Sequence, residues 1–328
     1  MKKAKVRKTV LSIALGSLLS FFTSPVEAQK VYRIGALVAS DLFVPAFEGF
    51  KKKMAELGYV EGKNVQYDFH NAEGDQDNLK KLTQKLVQDK PDLIVTSSTS
   101  VTIPVAKLTE GTNLPVIFVS ASDPLRFVKS YASSGNNLTG ISNSSLDLID
   151  KRMELLKELA PRVKRVIVIE VPSGTNYEAS HRLIWTAGKK FGLDLIGVQA
   201  VSRDEINSKI SALITRRLGE AVFTPPDIVV TAAIEEIARQ AIKETLPLIG
   251  TNIDTIKKGA LATYTADYFE LGQQGAVMAN KILKGAQPAD LPIELPKKLN
   301  LVINLKTAKA VGLKIPKELL LRADEVIE

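Results

Sequence analysis

Hydroxyl, amide and carboxylate side chains gather at six places in this sequence, each just after a short run of Val, Ile, Leu or other apolar residues. The first three are Ala39 to Pro45, which includes Phe43, then Ser97-Ser98-Thr99-Ser100, then Ser120-Ala121-Ser122-Asp123-Pro124. The second three are Pro172 to Tyr177, which includes Asn176, then Thr224-Pro225-Pro226-Asp227, then Thr251-Asn252-Ile253-Asp254. Ser, Thr, Asn and Asp ahead of a helix cap its first turn, and the N–H groups there attract an anion through hydrogen bonds and the helix dipole. Capping alone explains any one such loop. Six that converge describe a site for a polar ligand.

Catalytic and metal chemistry find little to work with. There are two histidines, His70 and His181, and neither has ligand residues at metal spacing. No G-x-S-x-G elbow, no G-x-x-x-x-G-K-[ST] loop and no G-x-G-x-x-G after the first apolar run occurs. No cysteine is present, which removes disulfides and thiolate metal sites. No cofactor and no bound metal are therefore expected, and no nucleophile, base and orienter can be assembled into an enzyme site.

The elements that position the six loops repeat at a nearly constant stride. Tyr32 to Val38, Asn64 to Phe69, Asp92 to Thr96 and Pro115 to Val119 read as strands, separated by helical patterns at Leu42 to Leu57, Asn78 to Gln88 and Val101 to Leu108. The programme then restarts, with strands at Lys164 to Val171, Asp194 to Val201, Glu220 to Thr224 and Pro247 to Thr251. Helices at Asn176 to Phe191, Glu205 to Arg216 and Ile228 to Glu244 fall between them. Short apolar runs alternating with 3.6-residue periodicity specify parallel sheets covered by helices on both faces. The fold class is thus α/β, with two doubly wound lobes whose strand ends face a shared cleft, where open α/β sheets place ligands.

The N-terminus predicts where the protein works. Lys2, Lys3, Lys5, Arg7 and Lys8 precede an apolar stretch from Val10 to Phe22 and a small-x-small site at Val26-Glu27-Ala28, which together read as a signal peptide over residues 1–28. Cleavage leaves 300 residues beginning at Gln29, with 39 basic and 35 acidic residues in mixed clusters rather than a stripe. Nucleic acid is not an expected partner, because phosphate binding needs cations gathered on one face. With no cysteine at the cleavage point to take a lipid, a free periplasmic protein is the expectation.

Several segments resemble a known family: Glu56-Leu57-Gly58-Tyr59-Val60-Glu61-Gly62-Lys63-Asn64-Val65, Asn71-Ala72-Glu73-Gly74-Asp75, Ser122-Asp123-Pro124, Asn137-Leu138-Thr139-Gly140-Ile141-Ser142, Leu301 to Leu305 and Ala323 to Ile327. In order and spacing they are similar to the tryptophan/tyrosine-type substrate-binding proteins of ABC transporters. The resemblance implies a type I periplasmic-binding-protein fold, with lobes of residues 29–143 plus about 267–290 and 144–266 plus about 291–328. It implies a multi-strand hinge near Asn143 to Asp150, Thr265 to Asp267 and Leu291 to Leu295. It also implies a small ligand captured by hinge closure, an inner-membrane ABC permease as partner, and a monomer. A periplasmic sensor subunit is the alternative, with an exported α/β enzyme behind it. For an amino-acid-like ligand, Ser97, Ser98, Thr99 and Ser122 would hold the carboxylate, and Asp227 or Asp254 the ammonium. Phe43 or Tyr177 would pack on the side chain, and Asn176, Thr224 and Asn252 would complete the lining. Glu170-Val171-Pro172 stands where many relatives have Tyr-Asn-Pro, and Asp227-Ile228 where they often have Asp-Asn, so the aromatic ligand follows less directly than the family.

Overall fold

The structure, a computed structural model, describes residues 30–328. The expected signal peptide lies outside them. Strands β1 (Tyr32–Val38), β2 (Val65–Asn71), β3 (Leu93–Ser97), β4 (Val116–Ala121) and β5 (Leu138–Ser142) form an all-parallel sheet in the order β2-β1-β3-β4-β5. β3 and β4 are buried at every residue, which is why their sequences are apolar without alternation.

A second sheet repeats that order. Strands β6 (Arg165–Glu170), β7 (Asp194–Gln199), β8 (Ala221–Phe223), β9 (Leu248–Ile249) and β10 (Ala262–Thr265) run β7-β6-β8-β9-β10, and β11 (Asn300–Asn304) and β12 (Glu325–Ile327) extend it beyond β10. The second sheet is not wholly parallel as the strand pattern suggests: β11 pairs antiparallel with β10, Ala262 opposite Ile303 and Thr265 opposite Asn300. A parallel neighbour needs a crossover from the strand beside it. Here the chain first leaves β10 for the other sheet and returns at the end where β10 stopped, so β11 runs back the other way.

The helices between the strands, in chain order, are α1 (Val44–Glu56), α2 (Gln76–Gln88), α3 (Thr99–Thr109), α4 (Ile149–Leu159), α5 (Tyr177–Lys190), α6 (Arg203–Leu213), α7 (Ile228–Ala232), α8 (Ile234–Lys243), α9 (Ile253–Lys257) and α10 (Tyr268–Leu283). The single helix expected from Ile228 to Glu244 is two, broken at Ala233, whose N–H is shared between the Val229 and Val230 carbonyls. Ile228, Val229, Val230 and Thr231 are all β-branched and lose rotamer freedom in a helix, which keeps the first piece short. α10 follows the second sheet in sequence yet buries Leu271, Ala276, Met278 and Ala279 in the core of the first. It lies against α1 so closely that a Cβ on Gly49 would stand 1.9 Å from the Phe269 carbonyl oxygen, and one on Gly272 1.8 Å from that of Ala46.

Three passages join the sheets. The chain crosses from β5 to α4 through residues 143–148 and from β10 to α10 through Ala266 and Asp267. It returns to β11 after Glu294, which pairs with Ile141 at the edge of the first sheet. Separate apolar clusters fill the two sides: one holds β1, β3, β4 and α10, and two others cover the faces of the second sheet.

Candidate functional site

A cavity of about 420 Å³ lies between the strand C-termini of the two sheets, a size in the range of small-molecule sites. On the first-sheet side its wall is the start of α3. Ser98 caps that helix, its Oγ accepting the Ser100 N–H at 3.1 Å and sharing a 2.7 Å hydrogen bond with the Ser100 hydroxyl. Its backbone sits at φ +95°, ψ 143°, a conformation that residues other than glycine rarely adopt and that costs about 1–3 kcal/mol. Thr99 Oγ1 accepts the N–H groups of Ser122 at 2.9 Å and Asp123 at 3.3 Å, fastening the loop after β4 to the same turn. A helix start leaves several N–H groups without partners inside the helix, so this wall presents donors and hydroxyls.

The opposite wall carries a carboxylate. Asp227 Oδ1 accepts the Val229 and Val230 N–H groups at 2.8 and 3.0 Å and caps α7. Burial raises its pKa against the lowering effect of those two bonds. The loop over it closes because residue 174 is glycine: a Cβ there would lie 2.2 Å from Asp227 Oδ2. Beside it, Asn176 donates from Nδ2 to the Pro226 carbonyl at 3.3 Å, while its buried Oδ1 has no protein partner. Asn252 closes a capping box with Thr255 at the start of α9. Apolar surface comes from Leu42, Phe43, Val171, Pro226, Ile228 and Tyr268, with the Phe43 and Tyr268 rings 5.2 Å apart and tilted by 38°.

Of the residues singled out from sequence, Phe43, Ser98, Thr99, Ser122, Asn176, Asp227 and Asn252 line this cavity. The other four lie elsewhere. Ser97 is buried as the last residue of β3, and Thr224 spends its hydroxyl on the Ile249 carbonyl at 3.0 Å. Tyr177, one residue and hence about 100° around the helix from Asn176, faces a small void shared with Glu170 and His181. Asp254 turns to Lys258 at 2.9 Å and lines a neighbouring groove. Sequence reasoning did not name as ligand residues Asn143, Ser145 and Tyr268, which the passages between the sheets bring to the cavity, nor Gly74 and Gln76 at the start of α2. The turn Asn71 to Asp75 was the available signal for the last two.

Beside the cavity the two sides touch directly. Arg126 Nη1, in the short 3-10 turn Pro124–Arg126, donates to the Thr175 carbonyl of the opposite loop. Asp123 in that turn has its pKa raised by burial, with Arg126 and Arg182 opposing. His181 is occupied structurally: Nδ1 meets Glu170 Oε1 at 2.5 Å and its ring stacks on Trp185 at 4.2 Å. Among the described residues no group of three His, Cys, Asp or Glu could hold a metal ion, and no helix is long and apolar enough to cross a membrane.

The family described as ABC transporter substrate binding protein matches residues 33–327. The chain belongs to this family. Its fold and family are those of substrate-binding proteins, which bind a small molecule and work with a permease, and not those of enzymes. This substrate-binding protein is 28% identical over 289 residues to the tyrosine-binding protein of Clostridioides difficile (strain R20291), covering 88% of this chain and 82% of that one. Among solved structures, an ABC domain in complex with L-Trp from Streptococcus pneumonia superposes with a TM-score of 0.82 at 27% identity, covering 91% of this chain and 100% of that one. The ligand-free, open form of a substrate-binding protein with adhesive properties from Clostridium difficile gives 0.69 at 26% identity, covering 90% and 99%. At 14% identity an Agrobacterium vitis solute-binding protein with bound allitol still gives 0.61, covering 87% of this chain and 98% of that one, a likeness of fold alone. The shared fold is the type I periplasmic-binding-protein fold.

Proposed function

We propose that this substrate-binding protein captures an α-amino acid with an aromatic side chain and delivers it to an inner-membrane permease. The observation that carries the reading is the two-sided polarity of the cavity. The strained, hydroxyl-rich start of α3 faces Asp227 and the unpartnered Asn176 Oδ1. An α-carboxylate fits the N–H and hydroxyl groups of Ser98, Thr99 and Ser122, and an ammonium fits Asp227 and Asn176. The Phe43 and Tyr268 corner suits a flat ring. The relatives named for tyrosine and solved with L-Trp support the same ligand class.

Capture works by hinge closure between two lobes, residues 30–142 with 266–294 and residues 143–265 with 295–328. Support comes from the higher TM-score to the L-Trp complex than to the open, ligand-free relative, and from the Arg126 bond across the cleft. A ligand that touches both lobes stabilises the closed form by its differential contacts. The receptor acts as a monomer in the periplasm, released there by cleavage after Ala28. Calorimetry with L-tyrosine, L-tryptophan and L-phenylalanine against a panel of sugars tests the ligand class. Saturable binding of an aromatic amino acid is the expected result, and binding of a sugar with none of the three overturns it.

A further inference from the structure

Arg152 on α4 is 1% exposed, and among the described residues no carboxylate pairs with it. Its guanidinium is spent on neutral acceptors. Nε donates to the Tyr264 carbonyl at 3.0 Å, Nη1 to the Ser145 carbonyl at 2.8 Å and Nη2 to the Thr251 carbonyl at 2.8 Å. Both terminal nitrogens also reach Ser145 Oγ at 3.3 Å. Ser145 and Thr251 line the cavity, so the charge stands one residue behind its wall.

A buried charge held only by dipoles is costly, and an apolar side chain of similar volume would be the cheaper core residue. The carbonyls satisfy the N–H groups but leave a full positive charge facing the cavity through a wall of low polarisability. We propose that Arg152 is a specificity-determining, positioning residue: its uncompensated charge biases the cavity toward ligands with a carboxylate, while its fork holds Ser145 and Thr251 in place. The ligand class rests on the amino-acid reading above; the potential at the wall does not. Burial draws the Arg152 pKa down to about 10, which leaves it charged at neutral pH. Its field already acts on the Tyr268 phenol, whose pKa burial pushes up to about 12, with Arg152 lowering it and Asp254 raising it.

Two measurements on the full chain test the assignment. Calorimetry compares L-tyrosine with tyramine, which lacks the carboxylate, on wild type, Arg152→Met, Arg152→Gln and Arg152→Lys. Loss of the charge is expected to cut the preference for L-tyrosine about tenfold, and Arg152→Lys to retain most of it. Equal weakening of both ligands in the neutral variants marks a purely structural residue and overturns the proposal. The second measurement needs no ligand. The sequence contains no cysteine, so the thiol introduced by Tyr268→Cys is a lone reporter on the cavity wall, read by thiolate absorbance against pH. Adding Arg152→Gln should move its ionisation midpoint upward by about half a pH unit or more, and an unmoved midpoint overturns the proposal. If wild type binds neither L-tyrosine nor tyramine, the amino-acid reading fails and the thiol titration still decides the role of Arg152. Should Arg152→Met not fold, Arg152→Gln, which keeps an N–H donor, carries both arms.

Discussion

Replacing Asp227 by Asn and by Ala separates the capping role that the structure shows from the ammonium-binding role proposed for the same carboxylate. Oδ1 caps α7 through Val229 and Val230, while Oδ2 lies under Gly174 at the cavity. Asn is as good a cap as Asp, whereas Ala loses about 1 kcal/mol of it. At neutral pH Asp227→Asn, which keeps the cap and removes a buried charge, should therefore hold or raise the melting temperature, and Asp227→Ala should melt below Asp227→Asn. Both remove the charge. A charge-assisted hydrogen bond to a buried ligand is worth about 1.5–3 kcal/mol, which converts to a weakening of about 10- to 150-fold in Kd for an amino acid. A deaminated analogue, 3-(4-hydroxyphenyl)propanoate, should bind wild type and Asp227→Asn alike.

The same carboxylate predicts a pH dependence of definite sign. Burial raises its pKa in the fold above the ordinary 3.8, so the folded state binds the proton more tightly than the unfolded one. Its contribution to stability is present below 3.8 and is lost as pH rises through the raised value. An ammonium beside it favours the ionised form and reverses that loss. Affinity for an amino acid should accordingly climb with pH across this window, and Asp227→Asn should remove that part of the climb. Calorimetry at a series of pH values, with circular dichroism for folding, measures both. Asp227→Asn binding within twofold of wild type, with the same pH slope, refutes the ammonium role.

Four further outcomes follow. Ser98→Gly relieves the φ +95° backbone and should stabilise the unliganded protein by about 1 kcal/mol in thermal unfolding, while the lost hydroxyl weakens ligand binding. Gly49→Ala and Gly272→Ala drive a methyl into the facing backbone of α10 or α1 and should each destabilise by about 1–3 kcal/mol, read by denaturant unfolding. Arg126→Ala removes the bond to the Thr175 carbonyl; stopped-flow release should be several-fold faster, and small-angle scattering should show less compaction at saturating ligand. Protein recovered from the periplasm should give an N-terminal sequence beginning at Gln29.

How legible each part was depends on what sets it. β3 and β4 were plain in the sequence because strands covered on both faces must be apolar throughout, and the converging loops followed because ligands gather at such strand ends. Antiparallel β11 was not, since its direction depends on the chain having crossed to the other sheet and back. The same holds at single residues. Ser97 and Ser98 are equal candidates by type, but β3 ends between them, and the turn at Ser98 sends one hydroxyl inside and the next to the cavity. Arg152 follows Lys151 in what reads as an ordinary charged helix. One is exposed and the other 1% exposed, a choice made by which face of α4 meets the end of β10.

The two walls differ in a way that bears on closure. The α3 side offers hydroxyls, N–H groups and a helix dipole but no carboxylate for an ammonium, whereas the facing side offers Asp227 and stands in front of Arg152. On the proposed reading, the α3 wall holds the carboxylate and the facing wall the ammonium, with the Arg152 charge behind that facing wall adding a longer-range attraction for the carboxylate. A ligand with only a carboxylate can rest on α3 without recruiting Asp227, and one with only an ammonium finds Asp227 but meets the Arg152 charge. If the proposed closure operates, a molecule that carries both ends gains the most from it against the cost of drying Asp227, and the pairing of charges, more than the volume of the cavity, would couple recognition to lobe motion.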